Sequence, residues 1–158
     1  MEHRELVAAL EDGTLDPAEF GHAEHVRLGW YLLEEGPPVA AAARLVAALR
    51  GYTVTLGIPG KYHETVTLAW LFLIHDRRCR GRGRARDWAG FRRENPDLFD
   101  PAARPLARYY RPATLGDEVG RRAFLFPDAA ASFRHAPRGA RLNAAAAARD
   151  RVPRPPGP

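Results

Sequence analysis

The chain has 158 residues, of which 46% are hydrophobic, so it is long enough to form one domain with its own core. A single cysteine excludes an internal disulfide framework, and no apolar stretch reaches the roughly 18–20 residues of a membrane span. The charged start carries no apolar signal segment, which predicts a cytoplasmic protein that does not insert into a membrane.

The net charge of +5 is unevenly distributed along the chain. Residues 77–93 hold eight arginines and one aspartate, and residues 134–158 hold six arginines and one aspartate, whereas the rest of the chain is acidic. The segment 77–86 predicts a mobile basic loop because it contains two glycines and few apolar side chains. Neither basic segment comes with a DNA-binding motif, which argues against nucleic acid as a partner.

The pattern of apolar residues predicts an all-α protein. We expect a compact bundle of five to six helices in residues 1–135, followed by a disordered tail rich in Ala, Arg and Pro over 136–158. Asp16 and Pro17 are typical of a helix start. Helical periodicity and Gly or Pro breaks place the main predicted helices near residues 2–11, 16–35, 38–51, 63–77 and 85–93, with shorter helical pieces near 101–110 and 115–126.

The stretch 66–74 (VTLAWLFLI) is apolar on every side of a helix, which predicts that helix 63–77 lies at the centre of the bundle. Lys61, Tyr62, His63 and Glu64 precede this stretch. An imidazole and a carboxylate are costly to place at the entrance of a buried helix. Their position therefore indicates a functional site.

Histidine spacing predicts a metal site beside this entrance. His22 and His25 lie three residues apart, so a helix presents both from one face. Together with His63 they would hold a divalent transition-metal ion, either Zn, Fe, Mn or Cu. His63 and Glu64 point about 100° apart on a helix, so Glu64 is expected as a fourth ligand or as a general base.

These residues lead to two main hypotheses. The first is a small metal-dependent enzyme acting on a small molecule, with hydrolase and oxygenase chemistry both left open. Its catalytic residues would be Glu64, Lys61 and Tyr110, and its substrate-binding residues would be Arg27, Tyr62 and Tyr109. The alternative is a non-enzymatic helical module that binds a ligand or a partner, in which the histidines are structural and Glu64 favours the helix start.

Three sequence blocks accompany these residues in a fixed order. They are FxHxxHVRLxW at 20–30, KYHETxTxxW at 61–70, and NPxL, YY, L and FxxPD between 95 and 128. In these blocks the chain resembles a family of short, uncharacterised bacterial proteins over about residues 17–130. The resemblance implies no activity. The chain departs from the family near Arg111 and Asp117, where small hydroxyl residues are expected.

Overall fold

The computed structural model describes residues 2–81 and 87–129 of the chain. Within those ranges the chain forms seven α-helices and no strand, which confirms the prediction of an all-α bundle. The predicted disordered tail over 136–158 lies outside the described residues. The helices are α1 (His3–Glu11), α2 (His22–Glu35), α3 (Pro38–Thr55), α4 (Glu64–Arg80), α5 (Trp88–Glu94), α6 (Pro112–Gly116) and α7 (Glu118–Arg122).

Helix α4 is central, as predicted, because it contacts α2, α3 and α7. Leu71 and Ile74 of α4 belong to the hydrophobic core, which α1, α2 and α3 also line. The helix is not buried on every side, since Phe72 is 41% exposed. One face of α4 therefore packs in the core while another face borders solvent.

Several helix boundaries differ from the predicted ones for local reasons. The predicted helix 16–35 is interrupted: Asp16 caps a 3-10 helix at Pro17–Glu19, and α2 starts after Phe20 and Gly21 leave the helical conformation. Residues 52–55 extend α3 by one turn beyond its predicted end at residue 51. The predicted helices 101–110 and 115–126 shorten to a 3-10 helix at Pro105–Arg108 and to α7.

The sequence predicts a loop over the basic segment 77–86, and part of this prediction is wrong. Residues 77–80 form the last turn of α4, whereas residues 82–86 lie outside the described ranges. Two of these arginines are held by ion pairs, since Arg77 contacts Asp97 at 2.7 Å and Arg78 contacts Glu34. These charges therefore stabilise the end of α4 instead of belonging to a loop.

Residues 112–129, here called the C-terminal strap, cover the N-terminal end of α4. Thr65 is completely buried and holds the strap through its hydroxyl. Its Oγ1 donates to the Ala123 carbonyl at 2.8 Å and accepts a hydrogen bond from the Leu125 amide at 3.0 Å. The strap is thereby bonded to the start of α4, which is the region that carries the predicted site.

Between residues 2 and 81 and between 87 and 129, the helices lack the combination of length and apolar character that crossing a bilayer requires.

Candidate functional site

A pocket of about 390 Å³ opens between α2, α3, α4 and the 3-10 helix at Pro59–Lys61. This volume lies within the usual range for a small-molecule site. Its walls are mainly apolar and aromatic. They include Phe20, Val26, Leu45, Leu49, Trp70, Leu71 and Ile74. Five of the nine predicted site residues also line this pocket, namely His22, His25, Lys61, Tyr62 and His63.

His25 is held in one tautomer at the pocket wall. Its Nδ1 lies 2.7 Å from the Gly21 carbonyl, and because a carbonyl can only accept, Nδ1 carries the proton. The ring stacks on Phe20 with 3.9 Å between centroids. Burial by the surrounding protein lowers the pKa of His25, although solvent reaches the side chain through the pocket. The lowered pKa favours the uncharged ring at neutral pH, in which Nε2 presents a lone pair.

His22 and His63 are tied to distant main-chain carbonyls. His22 Nε2 donates to the Leu98 carbonyl at 2.8 Å, and its ring meets Trp70 edge to face with 4.8 Å between centroids. His63 Nε2 donates to the Leu115 carbonyl at 3.0 Å. These bonds connect the pocket wall to segments that lie far away in sequence.

His63 uses its other ring nitrogen as the N-cap of α4. Its Nδ1 accepts a hydrogen bond from the Val66 amide at 3.3 Å, so the ring is neutral with the proton on Nε2. Burial lowers the pKa of this side chain, which is only 9% exposed. As placed, His63 has no free lone pair for a metal ion. The cap position also shows that α4 starts at Glu64, one residue later than expected.

The three-histidine metal centre thus receives no support from this arrangement. Within residues 2–81 and 87–129, no group of three His, Cys, Asp or Glu side chains is placed to hold a metal ion. The centre stays a prediction, and it would require His63 to give up at least one of its two hydrogen bonds.

Glu64 lies beside the pocket in an ion pair, rather than in its lining. Its Oε2 accepts hydrogen bonds from the Tyr62 hydroxyl at 2.5 Å and from Arg50 Nη2 at 3.0 Å. Burial and the Glu64 carboxylate together raise the pKa of Tyr62 well above its ordinary value. The Arg50 guanidinium also lies 5.1 Å from the centroid of the Tyr62 ring. These contacts hold Tyr62 at the edge of the pocket.

Lys61 is the exposed cation of the pocket lining. Its main-chain amide donates to the Ile58 carbonyl at 2.9 Å, which completes the turn of the 3-10 helix. No carboxylate of the described ranges lies within ion-pair distance of its ammonium group. Lys61 is therefore available to an anionic ligand.

Three predicted site residues lie elsewhere in the fold. Arg27 Nε donates to His3 Nδ1 at 2.8 Å, so this side chain joins α2 to α1. Tyr109 and Tyr110 line a second cavity of about 440 Å³ along a different face of α4. The Tyr110 hydroxyl donates to the Leu125 carbonyl at 3.1 Å, and burial raises its pKa. The structure therefore separates Arg27, Tyr109 and Tyr110 from the histidines.

Two aromatic wall residues belong to the sequence blocks but not to the predicted site residues. Phe20 and Trp70 instead border the pocket, each against one histidine ring. Their presence in the same sequence blocks as the histidines is a signal that could have identified them. The α3 residues that line the pocket have no comparable signal in the sequence, because the position of α3 beside the pocket depends on how the helices pack.

No protein-family model, curated protein or solved structure matches this chain. The interpretation of the pocket therefore rests on its own residues.

Proposed function

We propose that this protein binds a small organic molecule in the pocket between α2, α3 and α4. The proposal rests on one observation, which is that a mainly apolar cavity of about 390 Å³ brings three histidines, Lys61 and Tyr62 together on its wall. An apolar cavity with a few positioned polar groups is the usual composition of a small-molecule site. Burial of a flat apolar ligand would supply affinity, and the polar groups would orient it.

Four of these polar side chains are already held in place without a ligand. His22, His25 and His63 are each held by a main-chain carbonyl, and Tyr62 is held by Glu64. A ligand therefore finds side chains whose conformational entropy has already been lost on folding, which favours binding. This arrangement supports the ligand-binding module with structural histidines over the metal-dependent enzyme.

A variant that fills the pocket tests the proposal. Thr67 lies on α4, is half-buried and lines the pocket, whereas the adjacent half-buried Leu68 does not line it. We expect fragments from a library of aromatic and aliphatic compounds to shift the NMR signals of wild-type pocket residues. The same fragments should bind Leu68→Phe and fail to bind Thr67→Phe, with both variants shown to be folded by circular dichroism. Binding that is equal in the two variants, or no binding to wild type, contradicts the proposal.

The metal-dependent reaction remains a second prediction with its own test. A metal at His63 would replace either the cap of α4 or the bond to the Leu115 carbonyl. Zinc titration followed by elemental analysis should give stoichiometric uptake that is lost in His22→Ala and His25→Ala. An absence of uptake by wild-type protein contradicts this reaction without affecting the small-molecule proposal.

A further inference from the structure

The charge of the pocket lining restricts the ligand. Among the described residues that line the pocket, Lys61 is the one with a formal charge, and neither a carboxylate nor a guanidinium from residues 2–81 or 87–129 contributes to the lining. The histidines in the lining supply no negative charge. A cationic ligand would thus meet a wall of its own sign without an anion to pair with.

Other cations beside the pocket are already committed. Arg50 pairs with Glu64 at 3.0 Å. Arg121 of the C-terminal strap donates to the Gly60 carbonyl at 2.9 Å, and its Nε lies 3.5 Å from a Glu118 carboxylate oxygen. Within the described residues, Lys61 is therefore the cation beside the pocket that forms no ion pair.

The shape of the lining also restricts the ligand. Phe20, Tyr62 and Trp70 present flat aromatic groups to one cavity. Aromatic rings pack favourably against other rings in stacked or edge-to-face arrangements. A planar ring system uses such walls better than a branched aliphatic chain of the same volume.

We propose that the pocket binds an aromatic monocarboxylate, with its ring among Phe20, Tyr62 and Trp70 and its carboxylate paired with the Lys61 ammonium. This inference rests on the proposed small-molecule function and names the ligand class. A single unmatched positive charge suits a monoanion. A phosphate monoester carries a charge of about −1.5 to −2 at neutral pH, so part of it would stay unpaired beside an apolar wall.

The test compares matched ligands and matched variants. A panel of one-ring and two-ring aromatic carboxylates is titrated alongside the corresponding neutral carboxamides, using isothermal calorimetry. We expect the carboxylates to bind wild type more tightly than the amides, and Lys61→Met to weaken the carboxylates by about twofold to fivefold, as expected for an exposed ion pair. The amides should bind the two proteins equally. Arg108→Met serves as the control, because it removes an exposed charge of the same sign outside the pocket lining.

The outcomes separate this inference from the proposed function. Equal binding of acids and amides, or a preference for acids that survives Lys61→Met, overturns the carboxylate inference. The small-molecule function still stands if the acids and the amides both bind wild type and neither series binds Thr67→Phe. Failure of every member of both series to bind also overturns the carboxylate inference, and the broader fragment screen then decides the proposed function.

Lys61 offers an independent readout because it is the sole lysine of the chain. Reductive methylation with ¹³C-formaldehyde labels its amine and the N-terminal amine, which gives two resolvable groups of NMR signals. A bound carboxylate should shift the Lys61 signal by more than the ring-current shift that the matching amide produces at equal occupancy. An unmoved Lys61 signal at saturating carboxylate contradicts the proposed ion pair.

Discussion

The hydroxyl group of Thr65 is expected to contribute strongly to stability, and Thr65→Val isolates this contribution. Valine has nearly the same shape but can neither donate to the Ala123 carbonyl nor accept from the Leu125 amide. Each hydrogen bond contributes about 0.5–1.5 kcal/mol net, so the loss of both should lower the free energy of unfolding by about 1–3 kcal/mol. Complete burial of Thr65 prevents water from replacing its hydroxyl.

Urea denaturation followed by tryptophan fluorescence measures this effect as a lower midpoint at an unchanged slope. Thr67→Val is the matched control, because Thr67 lies on the same helix, is half-buried and makes no side-chain hydrogen bond within the described residues. It should change stability by less than about 0.5 kcal/mol. Hydrogen exchange adds local information, since Leu125 should lose amide protection in Thr65→Val. If the two valine variants are equally stable, the assigned role of Thr65 is wrong.

Two further predictions concern the same end of the molecule. The pKa values of His25 and His63 are lowered by burial, so the unfolded chain binds more protons and stability should fall as the pH drops below about 6.5. His63→Asn should reduce that dependence in urea titrations at several pH values, because it removes one titrating group; an unchanged dependence would refute the role of His63. Gly120→Ala should cost about 1–3 kcal/mol, because its Cβ would lie 2.8 Å from the Thr114 carbonyl oxygen. Gly116→Ala has open space around its Cβ and should be nearly neutral in the same assay, so equal losses would contradict the packing argument.

The helices themselves were largely predictable from sequence because their signals are local. Pro38 starts α3 where proline is tolerated, at the first helical position. The apolar run after Glu64 correctly predicts the central helix. The errors arise where short-range breaks compete with periodicity, as at Phe20 and Gly21, which separate a 3-10 helix from α2.

The candidate site was predictable in part. The spacing of His22 and His25, and the block that begins at Lys61, indicated side chains that do line one pocket. The sequence also predicted that Arg27 would join these side chains, but Arg27 instead donates a hydrogen bond to His3 of α1. Helical periodicity gives the direction of a side chain on its own helix, but it does not show which neighbouring element that face meets.

By itself, the sequence determined that this protein is helical, where its main helices lie and which residue types are available for chemistry. These properties follow from contacts between residues a few positions apart. The tertiary structure alone decided what the histidines do, because His22 bonds to a carbonyl 76 residues away and His63 to one 52 residues away. It also decided that Lys61 keeps an unmatched charge beside an apolar cavity while Glu64 is neutralised by Arg50. These hydrogen bonds and ion pairs depend on where distant segments of the chain come together, and no local sequence pattern encodes that.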